Sequence, residues 1–434
     1  MISKHNSPPV IIASILRPEG TTGVHTHVRE LSSYLSQQSI RHELVTPWSS
    51  SPALSCPLFA LRLPLSYLTP PLAVAWYRHW HTVFLERALR ARLRRAGRAV
   101  VYAQGPEAAL AAVRARTDEH QRVIMAVHFL GSQAALWTAR GHLTPGGPVA
   151  RSILATENRH LDLLDAIVYV SQAAKDQFIA SHPEAASIPS QVVPNFVSPV
   201  QPRAQPPLGD LVSLGRLEAE KRHSYLLEVL AAAKGLGYSY SLDIYGTGPL
   251  RKALQKLADK LGVSEQVRLR GFNASVRHLL PSYRAYVHGS TVEAGPIAII
   301  EAMAAGIPVF APNSGGVSDL LTSGTEGFYW PTDDPVTAAS CLISQLQDEP
   351  LLERVGRAGR DKFARCYSTS VVAPKLVALL YAGTPGQLPS AAAQNTAKDL
   401  VPTTMAHDRR PAASCRPPRN GADLPDQPAR YANR

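Results

Sequence analysis

The sequence predicts an α/β protein of two domains, each a parallel sheet covered by helices, and three observations carry that prediction. Short apolar runs alternate with longer amphipathic segments almost throughout, the pattern of parallel strands joined by helical crossovers. A proline-rich stretch, PNFVSPVQPRAQPPLGD (194–210), interrupts the alternation, which then restarts behind it. A chain of 434 residues also exceeds what one hydrophobic core usually organises.

Taken in order, VIIASI (10–15), VVYA (100–103), VIMAVH (123–128) and AIVYVS (166–171) read as buried strands of the first domain. Segments such as VHTHVRELSSYLSQQ (24–38) and EAALAAVRAR (107–116) read as its helices. Behind the linker, LVSLG (211–215), YSLDIYG (240–246), QVRLRG (266–271), YRAYVHG (283–289) and IPVFAP (307–312) are the expected strands. HSYLLEVLAAAKGLG, GPLRKALQKLADKLG and EAMAAG supply helical pieces, the second and third closed by glycine. The expected division is a first domain over 1–197, a linker over 198–209 and a second domain over 210–365. Residues 386–434, rich in Ala, Pro, Arg, Asn, Asp and Gln, are expected to be disordered because they cannot bury enough apolar area to offset chain entropy.

The composition, 45% hydrophobic and 18% charged, is that of a globular protein. A formal net charge of +12 raises nucleic acid, anionic membrane and phosphate-bearing substrates as partners. No nucleic-acid recognition motif with interleaved aromatics and no zinc pattern accompanies the charge, so nucleic acid is not expected. Cys56, Cys341, Cys366 and Cys415 lie far apart and form no C-x-x-C pair, which suggests neither a disulfide framework nor a metal site. The opening residues read as a strand rather than a signal peptide, and no apolar run reaches the ~18 residues of a membrane span. The expected compartment is the cytoplasm, with room for peripheral contact at the inner face of a membrane. The basic segment YRHWHTVFLERALRARLRRAGR (77–98), with Trp80, Phe84 and Leu85 interspersed, is the candidate for resting on anionic lipid; its alternative is an ordinary helix of the first domain.

The sharpest chemical signal is STVEAGPIAIIEAMAAGIPVFAPNSGG (290–316). A strand ends near His288, a loop carries Glu293, Pro296 stands where a first helical turn would begin, and Gly306 stops the helix. Ligands of parallel α/β sheets gather beyond the carboxyl ends of strands, where helix N-termini present unpaired N–H groups to a diphosphate. Glu301, eight residues after Glu293, can border the same cleft at another depth, one carboxylate for a sugar hydroxyl and one for a ribose diol. In SLGRLEAEKRH (213–223), Arg216 and Lys221 sit on a strand-to-helix turn where both can approach a diphosphate and neutralise the departing nucleotide. IYGTGPLRKAL (244–254) reads as a tight turn lining a base pocket, with its helix opened by Pro249. No G-x-G-x-x-G follows an N-terminal strand, which removes dinucleotide binding.

In this order and spacing the three pieces resemble the retaining glycosyltransferases of family four, with the GT-B fold of two facing, doubly wound Rossmann-like domains. The resemblance covers most of residues 10–382, adding PEGTTGVHTHVREL (18–31), VIMAVHF (123–129), DAIVYVSQAAKDQF (165–178), VVPNFV (192–197) and TEGFYW (325–330). It implies that YSTSVVAPKLVALLYAG (367–383), within an expected segment 366–385, returns to the first domain. By position, Arg216 and Lys221 would bind the donor diphosphate, Glu293 would contact the transferred sugar, and Glu301 would hold the ribose. His128 would approach the sugar from the first domain. Pro296, Ile297 and Gly23 would complete the donor set, and Gly20 to His27 would shape the acceptor side, with helix-surface positions the alternative for His25 and His27. Gly295 stands where the family usually has a bulky residue, and GTTG replaces two adjacent glycines.

The resemblance further implies transfer, with retention, of a sugar from a UDP-, GDP- or ADP-sugar to a glycan, lipid-linked or small-molecule acceptor, with no cofactor or metal. The alternatives are a peripheral membrane or scaffold protein on the same fold, a sugar-nucleotide epimerase, or a donor-binding protein without activity.

Overall fold

The computed structural model describes residues 7–50, 52–200 and 206–382; the expected disordered segment 386–434 lies outside them. The first domain runs β1 (Val10–Ala13), α1 (Gly23–Gln37), β2 (His42–Val45), α2 (Pro52–Ala60), α3 (Arg62–Leu68), α4 (Pro70–Ala96), β3 (Ala99–Gln104), α5 (Pro106–Ala115), β4 (Gln121–Val127), α6 (Gln133–Ala139), α7 (Pro148–Asn158), β5 (Ala166–Tyr169), α8 (Gln172–Ser181) and β6 (Ser190–Val192). Behind the linker come β7 (Gly209–Leu214), α9 (His223–Gly235), β8 (Leu242–Tyr245), α10 (Arg251–Lys260), β9 (Val267–Gly271), β10 (Tyr283–Val287), α11 (Ile297–Ala305), β11 (Val309–Ala311), α12 (Val317–Leu320), β12 (Phe328–Tyr329), α13 (Pro335–Leu346), α14 (Glu349–Cys366) and α15 (Thr369–Tyr381).

The strands form two six-stranded sheets, ordered β2-β1-β3-β4-β5-β6 and β12-β11-β10-β7-β8-β9. Every pairing is parallel. Strands β1, β3, β5, β8 and β11 are buried along their whole length because helices cover both faces, which is why they read as uninterrupted apolar runs. The three strands without a signal in the sequence are β2, β6 and β12, and all three lie at sheet edges. An edge strand has one neighbour and one open side, so short, polar segments such as HELV and SQV suffice.

In each sheet the strand order reverses at one place, between β1 and β3 in the first and between β7 and β10 in the second. There the crossovers leave in opposite directions and a crevice opens beyond the strand ends. The loops after β1, β7 and β10 are those that carry Gly23, Arg216 with Lys221, and Glu293.

The chain passes between the domains twice, and the crossings are tied together. Val197 N donates to Tyr367 O at 3.2 Å, and Thr369 N donates to Val197 O at 3.0 Å. From there α15 packs Val372, Ala373, Leu376 and Leu380 against Val10, Ile12, Leu31 and Tyr102 of the first domain. Glu30, buried on α1, accepts from Ser198 N at 2.9 Å, Ser198 Oγ at 2.6 Å and Thr369 Oγ1 at 3.2 Å. Its other oxygen takes the Arg277 guanidinium of the second domain at 2.8 Å. One carboxylate thus touches both crossings and both domains.

Three local expectations change. Strand β7 begins at Gly209, inside the expected linker, because its ladder with β10 already includes Gly209 opposite Tyr283. Helix α10 starts at Arg251 rather than at Pro249, since Gly248 and Pro249 belong to the turn that meets Leu217. The basic segment 77–98 is the greater part of α4, but Phe84 and Leu85 are buried and Arg78 pairs with Glu107 inside the domain. Tyr77, His81, Phe84, Leu85, Ala88 and Leu89 recur at helical spacing and form the core-facing stripe, so Phe84 and Leu85 are not available to a lipid surface.

The Glu30 cluster predicts that Glu30→Ala lowers stability by about 3 kcal/mol, because the partly buried Arg277 guanidinium and two hydroxyls lose their acceptor. Glu30→Gln, which keeps an acceptor of the same shape, is expected to lose clearly less in urea unfolding.

Candidate active site

A cleft between the two sheets, about 1490 Å³ including its open mouth, is lined by residues of both domains. It contains every residue expected to act in catalysis or donor binding: Gly23 and His128 from the first domain, and Arg216, Lys221, Glu293, Pro296, Ile297 and Glu301 from the second; of the segment Gly20 to His27, the residues Gly20, His25 and His27 do not line it.

The floor is built from the loop after β10. Glu293 is buried there, and two neighbours take the same oxygen: Lys221 Nζ donates to Oε1 at 2.7 Å and His288 Nε2 lies 3.1 Å from it. Oε2 is left to the cleft. Burial alone would raise the pKa of this carboxyl, but the Lys221 charge and the His288 hydrogen bond overcome it and hold Glu293 well below the ordinary carboxylate range. His288 was legible only as a strand end; Tyr286 OH, 3.1 Å from its Nδ1, fixes its ring.

Two glycine pairs let the loops come together. A Cβ on Gly316 would run into the Ala294 carbonyl, and one on Gly315 into that of Glu293; Gly316 N donates to Glu293 O at 2.7 Å. In IYGTG, Gly246 has φ 153° and lies against the Gly215 carbonyl, while Gly248 lies against Leu217. These glycines press backbone on backbone, which holds the Arg216 loop at the strand ends. Arg216 itself pairs with Glu218 at the cleft wall.

Two helix starts face each other across the opening. Pro296 is the N-cap of α11 rather than its first helical residue, and no side chain caps that helix, whose first residues Ile297 and Ala298 line the cleft. Gly23 opens α1, and a Cβ placed on it would lie 3.6 Å from Ile297 Cδ1.

Glu301 lies one and a half turns along α11. Burial pushes its carboxyl up to about 7, although Arg277 opposes this from 3.8 Å; Glu30 adds to the rise. Opposite it, His128 follows β4 with Nε2 2.9 Å from Gln104 Oε1. Burial, and then His27, hold His128 well below its ordinary range, so the ring is neutral near pH 7. With the Gln104 bond assigning the proton to Nε2, Nδ1 is an acceptor. His27 is buried beside it, 5.0 Å away ring to ring, and is held at about 4 by burial; a helix-surface place for it is corrected. His25 closes the first loop instead, its Nδ1 2.7 Å from Thr22 Oγ1.

Residues with no signal in the sequence close the cleft. Asn195 Nδ2 donates across the domains to Gly295 O at 2.8 Å. A side chain at Gly295 would press on Asn195 and Val170, both near 3.2 Å, which explains glycine there. Arg140 pairs with Glu220 at 3.0 Å, and Asp319 accepts from Gln172 N at 2.7 Å, both between domains. Among the described residues no group of three or more His, Cys, Asp or Glu is placed to hold a metal ion.

Two measurements follow. Gly316→Ala is expected to cost roughly 1–3 kcal/mol in urea unfolding, because the Glu293 loop must shift. For Glu301 the folded carboxyl is raised from 4.5 to about 7, so its contribution is complete below 4.5 and is lost as pH rises through about 7. Wild-type protein is expected to lose on the order of 3 kcal/mol over that interval relative to Glu301→Gln, read as the difference between their stability–pH profiles.

The family model "Glycosyltransferase Family 4" matches residues 21–201, and "Glycosyl transferases group 1" matches residues 201–362. The chain is 28% identical over 294 residues to the GDP-mannose-dependent alpha-(1-6)-phosphatidylinositol monomannoside mannosyltransferase of Mycobacterium tuberculosis, covering 63% of this chain and 72% of that protein. It is 29% identical over 183 residues to the putative colanic acid biosynthesis glycosyltransferase WcaL of Escherichia coli, covering 40% of this chain and 45% of WcaL, so it spans under half of that relative. Among solved structures, sucrose-phosphate synthase from Thermosynechococcus elongatus superposes with a TM-score of 0.67 at 17% identity, over 86% of this chain and 98% of that one. Anabaena HepE, solved with UDP-glucose, gives 0.64 at 17% identity, over 86% and 99%. Among the described residues no helix is long and apolar enough to cross a membrane. With one family model on each of its two facing parallel sheets, the chain is a GT-B glycosyltransferase of the family-four type.

Proposed function

We propose that this glycosyltransferase moves a sugar from a nucleoside diphosphate to an acceptor hydroxyl with retention at the anomeric carbon, the donor a UDP-, GDP- or ADP-sugar and the acceptor a glycan, a lipid-linked sugar or a small molecule. One observation carries the reading: two cationic side chains, an uncapped helix start and two carboxylates of opposite character line one wall of a cleft that His128 faces from the other domain. The mannosyltransferase relative is named for a GDP-mannose donor, and HepE was solved with UDP-glucose, which supports a nucleotide-sugar donor without choosing the base.

Each residue has a task its environment suits. Lys221 spends one ammonium proton on Glu293 and has two left for the diphosphate; Arg216 and the N–H groups of Ile297 and Ala298 supply the remaining donors. Negative charge developing on the leaving nucleotide is thereby met without reorganisation. Glu293 stays ionised at any physiological pH, so it cannot give a proton to the leaving group. Its Oε2 orients a sugar hydroxyl and faces the positive charge that grows at the anomeric centre. Glu301 takes the ribose diol, where Arg277 at 3.8 Å favours its ionised form. Neutral His128 accepts from a sugar hydroxyl through Nδ1, and Gly23 leaves space for the donor below α1. No side chain is assigned as nucleophile: the acceptor attacks on the face the nucleotide leaves, and donor phosphate takes its proton.

A thermal-shift screen of UDP-, GDP- and ADP-sugars is expected to single out one base, with stabilisation of about 2.7 kcal/mol at 100 times the dissociation constant. With that donor, Lys221→Ala and Glu293→Gln are expected to lower kcat about 100-fold or more while remaining folded. Wild-type turnover in either variant overturns these assignments. Proton NMR of the product reports the anomeric configuration, and an inverted linkage overturns retention.

A further inference from the structure

Six of the exposed large apolar side chains of the first domain fall within α2, α3, the link between them and the start of α4. Leu54, Leu61, Leu63, Tyr67, Leu68 and Leu72 are all at least 48% exposed, with Tyr67 at 87% and Leu68 at 77%. Elsewhere among the described residues such side chains stand in ones and twos. Helix α3, RLPLSYL, buries none of its residues. A short apolar helix with nothing buried gains too little from water exclusion to offset its ordering, so the face calls for a partner.

Charge identifies the partner. From Leu44 to Leu85 the chain has no Asp or Glu. The exposed flank of α4 starts beside α3 at Leu72 and continues through His79, Val83, Arg87 and Arg94 at three- and four-residue spacing or its multiple. Its acid, Glu86, is held by Arg90 at 2.7 Å. Among the described residues, Arg62, Arg87 and Arg94 have no carboxylate partner, and Arg62 lies over the Tyr77 ring at 4.4 Å, at the border of the apolar face. A twofold contact with a second copy would set these arginines against arginines. An anionic lipid surface supplies an apolar layer and negative headgroups side by side.

We propose that α3, the start of α4 and the arginine flank of α4 form a surface that docks on an anionic lipid bilayer. Leu63, Tyr67 and Leu68 enter the boundary between headgroups and acyl chains, and Arg62, Arg87 and Arg94 meet lipid phosphates. The surface belongs to the domain that brings Gly23 and His128 to the cleft. Trp48, just beyond β2, packs on Phe59 of α2 and carries the Arg17 guanidinium of the first cleft loop 5.9 Å over its ring. Docking therefore sets the cleft mouth beside the bilayer, whatever sugar is transferred.

The test is sedimentation of the full chain with vesicles of phosphatidylcholine alone or mixed equally with phosphatidylglycerol. Wild-type protein is expected to sediment with the mixed vesicles. Leu63→Ser, Tyr67→Ser and Leu68→Ser combined are expected to weaken binding at least about tenfold at low and high salt, with thermal midpoint and nucleotide binding unchanged. Arg87→Ser with Arg94→Ser is expected to weaken it about thirtyfold at low salt and little at high salt, and this pair tests the proposal should the triple variant fail to fold. Absence of wild-type binding to the mixed vesicles, or equal binding by both variants, overturns it. So does wild-type self-association in sedimentation velocity that the triple variant abolishes, which assigns the face to a second copy.

Discussion

The cleft depends on keeping one buried carboxylate ionised. Glu293 is buried at the floor of the cleft, where burial by itself favours the neutral acid. The Lys221 ammonium and the His288 ring reverse that preference by converging on a single oxygen, and the cost is carried by the backbone that places them. Lys221 comes from the turn after β7, His288 and Glu293 from the loop after β10, and these two strands are neighbours where the sheet order reverses. Close approach of the Gly315–Gly316 and Gly246–Gly248 segments to neighbouring carbonyls is what allows the loops to stack without side chains between them. The fold positions a charge that would otherwise neutralise itself.

Glu301, one helix away, shows the opposite outcome. It has a similar depth but a more distant cation, and its carboxyl rises to about 7. The two carboxylates of one cleft therefore differ in charge: Glu293 is permanently ionised and Glu301 stands near its own midpoint at neutral pH. Arg277 links the second of these to Glu30, which binds both interdomain crossings. Glu301 and the carboxylate that binds both interdomain crossings thus share one arginine.

Much of the fold was legible because parallel strands buried on both faces must be continuously apolar, and ten or more residues of crossover must separate them. Interior strands such as β1, β3, β5 and β8 follow that rule; the edges β2 and β6 do not and passed unseen. The buried stripe of α4 went unread for a related reason. Tyr77, His81, Phe84 and Leu85 mark a buried stripe, but the density of arginines on the opposite flank masked it, and the exposed apolar face proved to be on α3, whose residues carry no periodic signal. Gly295 read as a departure from a family pattern, whereas Asn195 and Val170 occupy the space a side chain would need.

By itself the sequence determined the class of fold, the two-domain plan and the residue types at the cleft, since strand burial, helix starts and the E-x7-E spacing are local properties of the chain. Only the tertiary structure decided what those residues are. Whether a glutamate is charged depends on which cation stands within three or four ångströms, and Lys221 is 72 positions from Glu293 in the chain. The crossing of Glu30 to Ser198, Arg277 and Thr369 likewise joins four distant segments. Such contacts arise from how sheets and helices pack, and no stretch of sequence short enough to read as a motif contains them.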